Sequence, residues 1–265
     1  MTQKYEKTIF ICAVEKYSDI IKANKGCKRI YCGNEFCQYK FVHDVRFYKE
    51  IAKIKPISFV LPAIITPQYF GKMEKIIDEL NSIQKDFELV INSFGMLEWY
   101  RQKKRKFPAV MGRMICHFTL LFKLPYRNGN SSEKDSLAQK KIIQVLDKNK
   151  VDFFKKNYDV NRFEISSLPH THAYILPKYT KISLYYPYAV VTMTRNCVFR
   201  PEPEINTADK FCSRECGDLC LEVDHPASAE PFIMINNGYL IDCNIKSNKD
   251  IFSPEIDRFV RQIVK

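Results

Sequence analysis

A chain of 265 residues, 46% hydrophobic and 27% charged, is long enough for one large α/β domain and too apolar for global disorder. No apolar run reaches the roughly 18 residues of a membrane span, and the polar start Met1–Lys7 lacks the apolar core and small-residue cleavage site of a signal peptide, so a cytoplasmic protein is expected. The 42 basic residues outnumber the 30 acidic ones, leaving a net charge of +12 that favours anionic partners such as RNA, anionic lipid or a phosphorylated substrate; the charge is spread widely, with Lys103–Lys106 the one tight run.

In chain order, Thr8–Val14 reads as a strand and Lys16–Lys25 as a helix ended by Gly26. Lys28–Gly33 is a second strand, and Phe41–Lys53 a helix stopped near Pro56. The β-branched, nearly all-apolar run Ile57–Ile64 is a third strand. Pro67–Gln84 carries Met73, Ile76, Ile77, Leu80 and Ile83 at helical spacing. Strands at Glu88–Asn92 and Ala109–Arg113 flank a helix at Gly95–Lys104. A polar loop at Arg127–Lys134 precedes a short helix at Asp152–Lys156 and a sixth strand at Arg162–Ile165. Residues 198–230 differ in kind: rich in Pro, charge and Cys, without periodicity, they read as an insertion ordered by a metal rather than by apolar burial. Phe232–Ile235 and Tyr239–Ile241 form a hairpin around Asn236-Asn237-Gly238. Pro254–Val264 reads as a closing helix.

All-apolar strands alternating with helices indicate a parallel sheet covered on both faces. The glycine-rich phosphate loops of nucleotide-binding sheets are absent. The expected fold is therefore a single α/β domain over residues 1–265, a TIM-like (β/α) barrel. It is left incomplete, because residue 265 falls about where a last strand would begin, and it carries a Cys-rich metal-binding insertion at 198–230.

Ten cysteines in a reducing compartment argue against disulfides and for buried thiols plus a metal or redox site. Cys197, Cys212, Cys216 and Cys220 are closely spaced, a density that suits an iron–sulfur cluster or zinc. The Cys-x3-Cys step from Cys216 to Cys220 puts both sulfurs on one side of a helix. The Cys-x2-Cys pairs of zinc ribbons are missing, which tilts the reading toward iron and sulfur. The plainer alternative is that these are small buried hydrophobes, but Asp209, Lys210, Arg214, Glu215 and Asp218 do not make a core. Asp224 and His225 could be ligands, a relay or turn caps. His170 and His172 have the look of a metal pair but follow Leu168-Pro169, where surface loop histidines are commoner. His117, beside Cys116, follows an apolar strand that ends at the barrel mouth. The hydrolase motifs Gly-x-Ser-x-Gly and His-Glu-x-x-His are absent.

Several segments together resemble a known family. Arg29-Ile30-Tyr31-Cys32-Gly33-Asn34-Glu35-Phe36-Cys37, Leu89-Val90-Ile91-Asn92-Ser93-Phe94-Gly95-Met96-Leu97, Lys106–Gly112, Arg162–Leu168, Arg195-x-Cys197, Glu215-Cys216-x3-Cys220-Leu221 and Ile235–Tyr239 resemble, in order and spacing, the collagenase-like peptidase family U-32. The likeness is greatest to its short, cluster-binding members of anaerobic ubiquinone synthesis. The resemblance implies a β/α barrel holding a 4Fe-4S cluster on Cys37, Cys197, Cys216 and Cys220, with Cys212 and Cys243 as alternates. It implies an oxygen-independent hydroxylation enzyme or its accessory subunit, acting with a second family member as a heterodimer; the basic surface suits an RNA or an anionic small molecule as its substrate. Ser93 and Ser167 stand where the family carries acids, so the copy is weakened as a catalyst or is a cluster-holding partner; Arg195, His117 and Glu164 are its candidate catalytic groups. Two other readings stay open: a peptidase, for which no nucleophile–base pair can be named, and an RNA-binding or scaffolding module built around a structural zinc.

Overall fold

The computed structural model describes residues 6–11, 26–40, 45–83, 86–116, 142–144, 146–168, 173–194, 212, 216, 219–224, 230–245 and 254–263. Eight of its strands close into a parallel barrel. In order round the barrel they are β1 (Glu6–Ile11), β2 (Arg29–Gly33), β3 (Ile57–Val60), β4 (Glu88–Ile91), β5 (Ala109–Met111), β7 (Arg162–Ser166), β9 (Lys181–Tyr186) and β14 (Ile256–Ile263). The short strands β6 (Ile142–Gln144) and β8 (Ala173–Ile175) pair in parallel outside the ring. Helices α1 (Val45–Ile54), α2 (Pro67–Ile83) and α3 (Phe94–Gln102) connect the early strands. The short α4 (Arg113–Cys116) follows β5, and α5 (Lys148–Tyr158) precedes β7.

Two sequence expectations are corrected. Residues 254–264 do not form a closing helix: Ile256–Ile263 is a strand. That strand pairs with β1 on one side and β9 on the other, so the barrel is closed rather than incomplete. The misreading has a physical cause. Ile256, Phe259, Val260 and Ile263 fall at i, i+3, i+4 and i+7, the apolar stripe of a helix. The intervening Arg258 and Gln262 look solvent-facing, yet they are 3% and 2% exposed because they point into the barrel. The helix expected at Lys16–Lys25 and the loop expected at Arg127–Lys134 lie outside the described residues.

Strand alternation sorts side chains into two cores. Outward residues such as Ile30, Phe59, Leu89, Phe163, Leu184 and Phe259 pack against Tyr48 and Ile51 of α1, Met73, Ile77 and Leu80 of α2, and Leu97 of α3. Each such fully buried side chain contributes about 1.5–3 kcal/mol. Inward residues Phe10, Tyr31, Val60, Val90, Val110, Tyr185 and Val260 fill the axis. The floor of the barrel is ionic: Arg258 grips Glu88 with both guanidinium nitrogens, meets Glu6 and donates to the Tyr31 hydroxyl. Arg29 donates to the carbonyls of Ile57 and Asp86. Burial resists the Glu88 charge, but the Arg258 and Arg29 guanidiniums and the Ser58 hydroxyl overcome it and lower its pKa to about 2.

Between β9 and β14 the chain leaves the ring to build a four-stranded antiparallel sheet. It comprises β10 (Tyr188–Met193), β11 (Cys220–Val223), β12 (Phe232–Ile235) and β13 (Gly238–Asp242). The predicted hairpin is β12–β13, turned at Asn236 with φ 54°. Val190, Ile235 and Leu240 of this sheet join the same cluster as the barrel axis, so the sheet lies over the C-terminal mouth as a cap.

Gly33 ends β2 with φ +121°, and a β-carbon there would sit 2.2 Å from the Val60 carbonyl oxygen. Neither the dihedral nor the backbone neighbour can yield cheaply. Gly33→Ala is expected to cost at least about 2 kcal/mol in urea unfolding. A loss within about 0.5 kcal/mol would show that the strand end relaxes freely.

Candidate functional site

The C-terminal ends of barrel strands are where this architecture places chemistry. The loop after β2 leads there. The buried Asn34 accepts hydrogen bonds from the backbone N–H of Phe36 (3.0 Å) and of Cys37 (2.8 Å), which folds the loop and fixes Cys37. A 3-10 turn at Gln38–Lys40 follows. Burial pushes the Cys37 thiol up to about 11; the Lys40 and Tyr39 N–H groups aimed at its sulfur pull the other way, and Cys212 and Cys216 push it up further. Residues 175 positions apart or more thus act on the one thiol of Cys37. Gly238 seats the hairpin against Phe36: a β-carbon at 238 would meet the Phe36 ring at 2.5 Å.

The other cysteines fall elsewhere. Cys220 opens β11, so the Cys216–Cys220 step is not the helical pair that the spacing suggested; Leu219 N–H bonds back to the Cys216 carbonyl at 2.9 Å and the strand begins after it. Cys220 is half-buried, its thiol raised by burial and by Glu222, and its own field falls on Tyr188. Cys243 donates to the Ser167 carbonyl at 3.5 Å, and burial lifts its thiol to about 12. Cys27, Cys32 and Cys116 are buried in the outer core. Cys197 and Arg195 lie outside the described residues, as do all five histidines, His43, His117, His170, His172 and His225.

A second group lies beneath the cap, and the sequence reading missed most of it. Arg113 and Glu35, 0% and 1% exposed, form a two-point ion pair. Arg113 also donates to Ser166 Oγ (3.2 Å), the Tyr188 carbonyl (3.3 Å) and Gln262 Oε1 (2.9 Å), and its guanidinium lies 4.2 Å from the Tyr185 ring centre. Below it, Glu164 points to the axis, so it is on the inward face of β7. Tyr185 donates its hydroxyl to Glu164 Oε2 at 2.8 Å, while Oε1 has no hydrogen-bond partner among the described residues. Burial raises the Glu164 carboxyl to about 8, with Glu35 adding to the rise and Tyr185, Arg113 and Arg258 opposing it, so it is a neutral acid at pH 7. The one signal for Arg113 was a cation standing one glycine beyond the all-apolar run Ala109–Met111.

Ser93 has a structural occupation, whereas the buried Ser167 hydroxyl has no hydrogen-bond partner among the described residues. Ser93 caps α3, its hydroxyl accepting from the Met96 N–H, a task an aspartate does equally well. Ser167 ties β7 to β9 through its N–H on the Tyr185 carbonyl at 2.7 Å.

A soft, buried thiol with two N–H groups directed at its sulfur suits an iron–sulfur ligand, since such hydrogen bonds tune cluster potential. Among the described residues no three Cys, His, Asp or Glu side chains are grouped tightly enough to hold a single metal ion. No protein-family model matches the chain, and neither the curated proteins nor the solved structures return a match, so the likeness to the U-32 family rests on the motifs of this chain.

Proposed function

We propose that the chain is a 4Fe-4S protein of the U-32 type, an electron-holding component of an oxygen-independent hydroxylation system that works with a partner subunit on an anionic substrate. The observation that carries this reading is that the Cys212 and Cys216 thiols lie near enough to Cys37, on the loop after β2, to push its thiol up. It supports Cys37, Cys197, Cys212 and Cys216 as the ligands, with Cys212 ahead of Cys220 as the member of the final pair. When bound, the cluster supplies one-electron transfer. The protein's part is to hold the Cys37 and Cys216 thiols buried, to offer the Lys40 and Tyr39 N–H groups to the Cys37 sulfur, and to give up the thiol protons on loading. The cap favours an accessory role over a self-contained catalyst: Glu35, Arg113, Glu164 and Tyr185 lie buried beneath it, where they do not meet a substrate.

Protein purified without oxygen should carry about four irons and about four acid-labile sulfides per chain, with broad visible absorbance that bleaches on reduction. Cys37→Ala, Cys212→Ala and Cys216→Ala should each strip most of the iron, while Cys27→Ala and Cys243→Ala should keep it. One zinc and no sulfide would sink the redox reading. Equal iron loss in all five variants would sink the ligand assignment.

A further inference from the structure

A second feature owes nothing to the cysteines of the mouth. On the outer wall of the barrel, α3 and α5 meet through the stacked rings of Phe94 and Phe154, 6.2 Å between centres, beside the paired strand ends Met111 and Phe163. They leave a cavity of about 360 Å³. Its floor is Met111, Ile115 and Phe163, all buried. Its rim is Phe94 and Phe153, which are 50% and 53% exposed. A cavity of a few hundred Å³ with an apolar lining and few polar groups is the usual form of a small-molecule site. Two half-exposed phenylalanines at its edge are a cost to a protein that keeps them uncovered.

The polar side of the cavity selects the ligand's charge. Lys150 lines it from the first turn of α5, an 11-residue helix whose N-terminal end is the positive end of its dipole. The neighbouring charges are committed: Asp147 caps the helix by accepting from the Asn149 and Lys150 N–H groups, Lys148 pairs with Asp152, and Lys155 donates to the Tyr179 carbonyl. Lys150 has no ion pair among the described residues. We infer that this cavity binds a small anionic amphiphile, its apolar body seated on Met111, Ile115 and Phe163 and its acidic head at Lys150.

The test uses the full chain with decanoate below its micelle concentration and decanol below its solubility limit, displacing the fluorescence of anilinonaphthalene sulfonate. One saturable site is expected, taking decanoate about threefold more tightly than decanol, the scale of a half-exposed charge contact. Phe153→Asp puts a carboxylate on the rim and should weaken decanoate about tenfold or more. Lys150→Glu should abolish the preference for decanoate and leave decanol unchanged. Both side chains are exposed, so both variants should keep the wild-type circular dichroism spectrum. Displacement that never saturates, unchanged decanoate affinity in Phe153→Asp, or an equal effect of Lys150→Glu on both probes would overturn the inference. So would binding to anionic vesicles without binding of monomeric decanoate, which would make the rim a membrane contact.

Discussion

Replacing Arg113 by methionine should lower stability by about 3–5 kcal/mol, the range found when one member of a fully buried ion pair is removed. The reason is what the guanidinium leaves behind. The Glu35 carboxylate, Ser166 Oγ, the Tyr188 carbonyl and Gln262 Oε1 all accept from Arg113. They come from β2, β7, β10 and β14 or the loops beside them, and in the variant they remain buried with fewer donors. The double variant Arg113→Met, Glu35→Leu should recover much of the loss, because the pair's own net worth is small once desolvation is counted. Urea unfolding of the two single variants and the double completes the cycle. If the double variant loses as much as the sum of the singles, the two residues are not coupled and Arg113 acts through packing alone.

The second large effect is on pH dependence. Glu164 ionises near its ordinary 4.5 in the unfolded chain and near 8 in the fold. Between those values the folded state keeps a proton that the unfolded state has released. The Glu164 contribution is therefore complete below about pH 4.5 and is lost as pH rises through 8, by at most ~1.4 kcal/mol per pH unit. Glu88 acts in the opposite sense: its pKa of about 2 gives stability above 4.5 that is lost as pH falls toward 2. Glu164→Gln keeps an acceptor for the Tyr185 hydroxyl and removes the titration. Relative to wild type it should gain about 3 kcal/mol between about pH 5 and about pH 8. Parallel stability profiles for the two proteins across that window would show that Glu164 is not the titrating group.

The parts of the fold that were legible are those where both strand faces are apolar. Ile57–Val60, Glu88–Ile91 and Ala109–Met111 sit between an apolar axis and apolar helices, so composition alone marks them. The closing strand is different, because its inward face carries Arg258 and Gln262, and only the neighbours at Glu88, Glu6 and Arg113 make those positions tolerable inside a barrel. Lys181–Tyr186 likewise hides a strand in an alternation whose inward members, Ser183 and Tyr185, are polar. At the mouth, Cys212 and Cys220 both stand four residues from Cys216, so spacing does not tell them apart; the start of β11 at Cys220 does, and no local pattern announces that strand. The Glu35–Arg113 pair joins residues 78 apart, and no local pattern announces it.

Closure by β14 also sets an order of events during synthesis. Glu6 in β1 and its ion-pair partner Arg258 are 252 residues apart, and the free edge of β1 can be paired on that side only once the last barrel strand has emerged. At about 5–20 residues per second, the ribosome leaves the seven earlier strands as an open sheet for roughly 4–15 s, the time from the end of β9 at Tyr186 to the end of β14 at Ile263. Throughout that interval two edges, at β1 and β9, offer unpaired backbone to any neighbouring nascent chain. Yield in the cell should depend on how densely ribosomes load the message, and on chaperones that shield sheet edges, more than on the stability of the finished barrel.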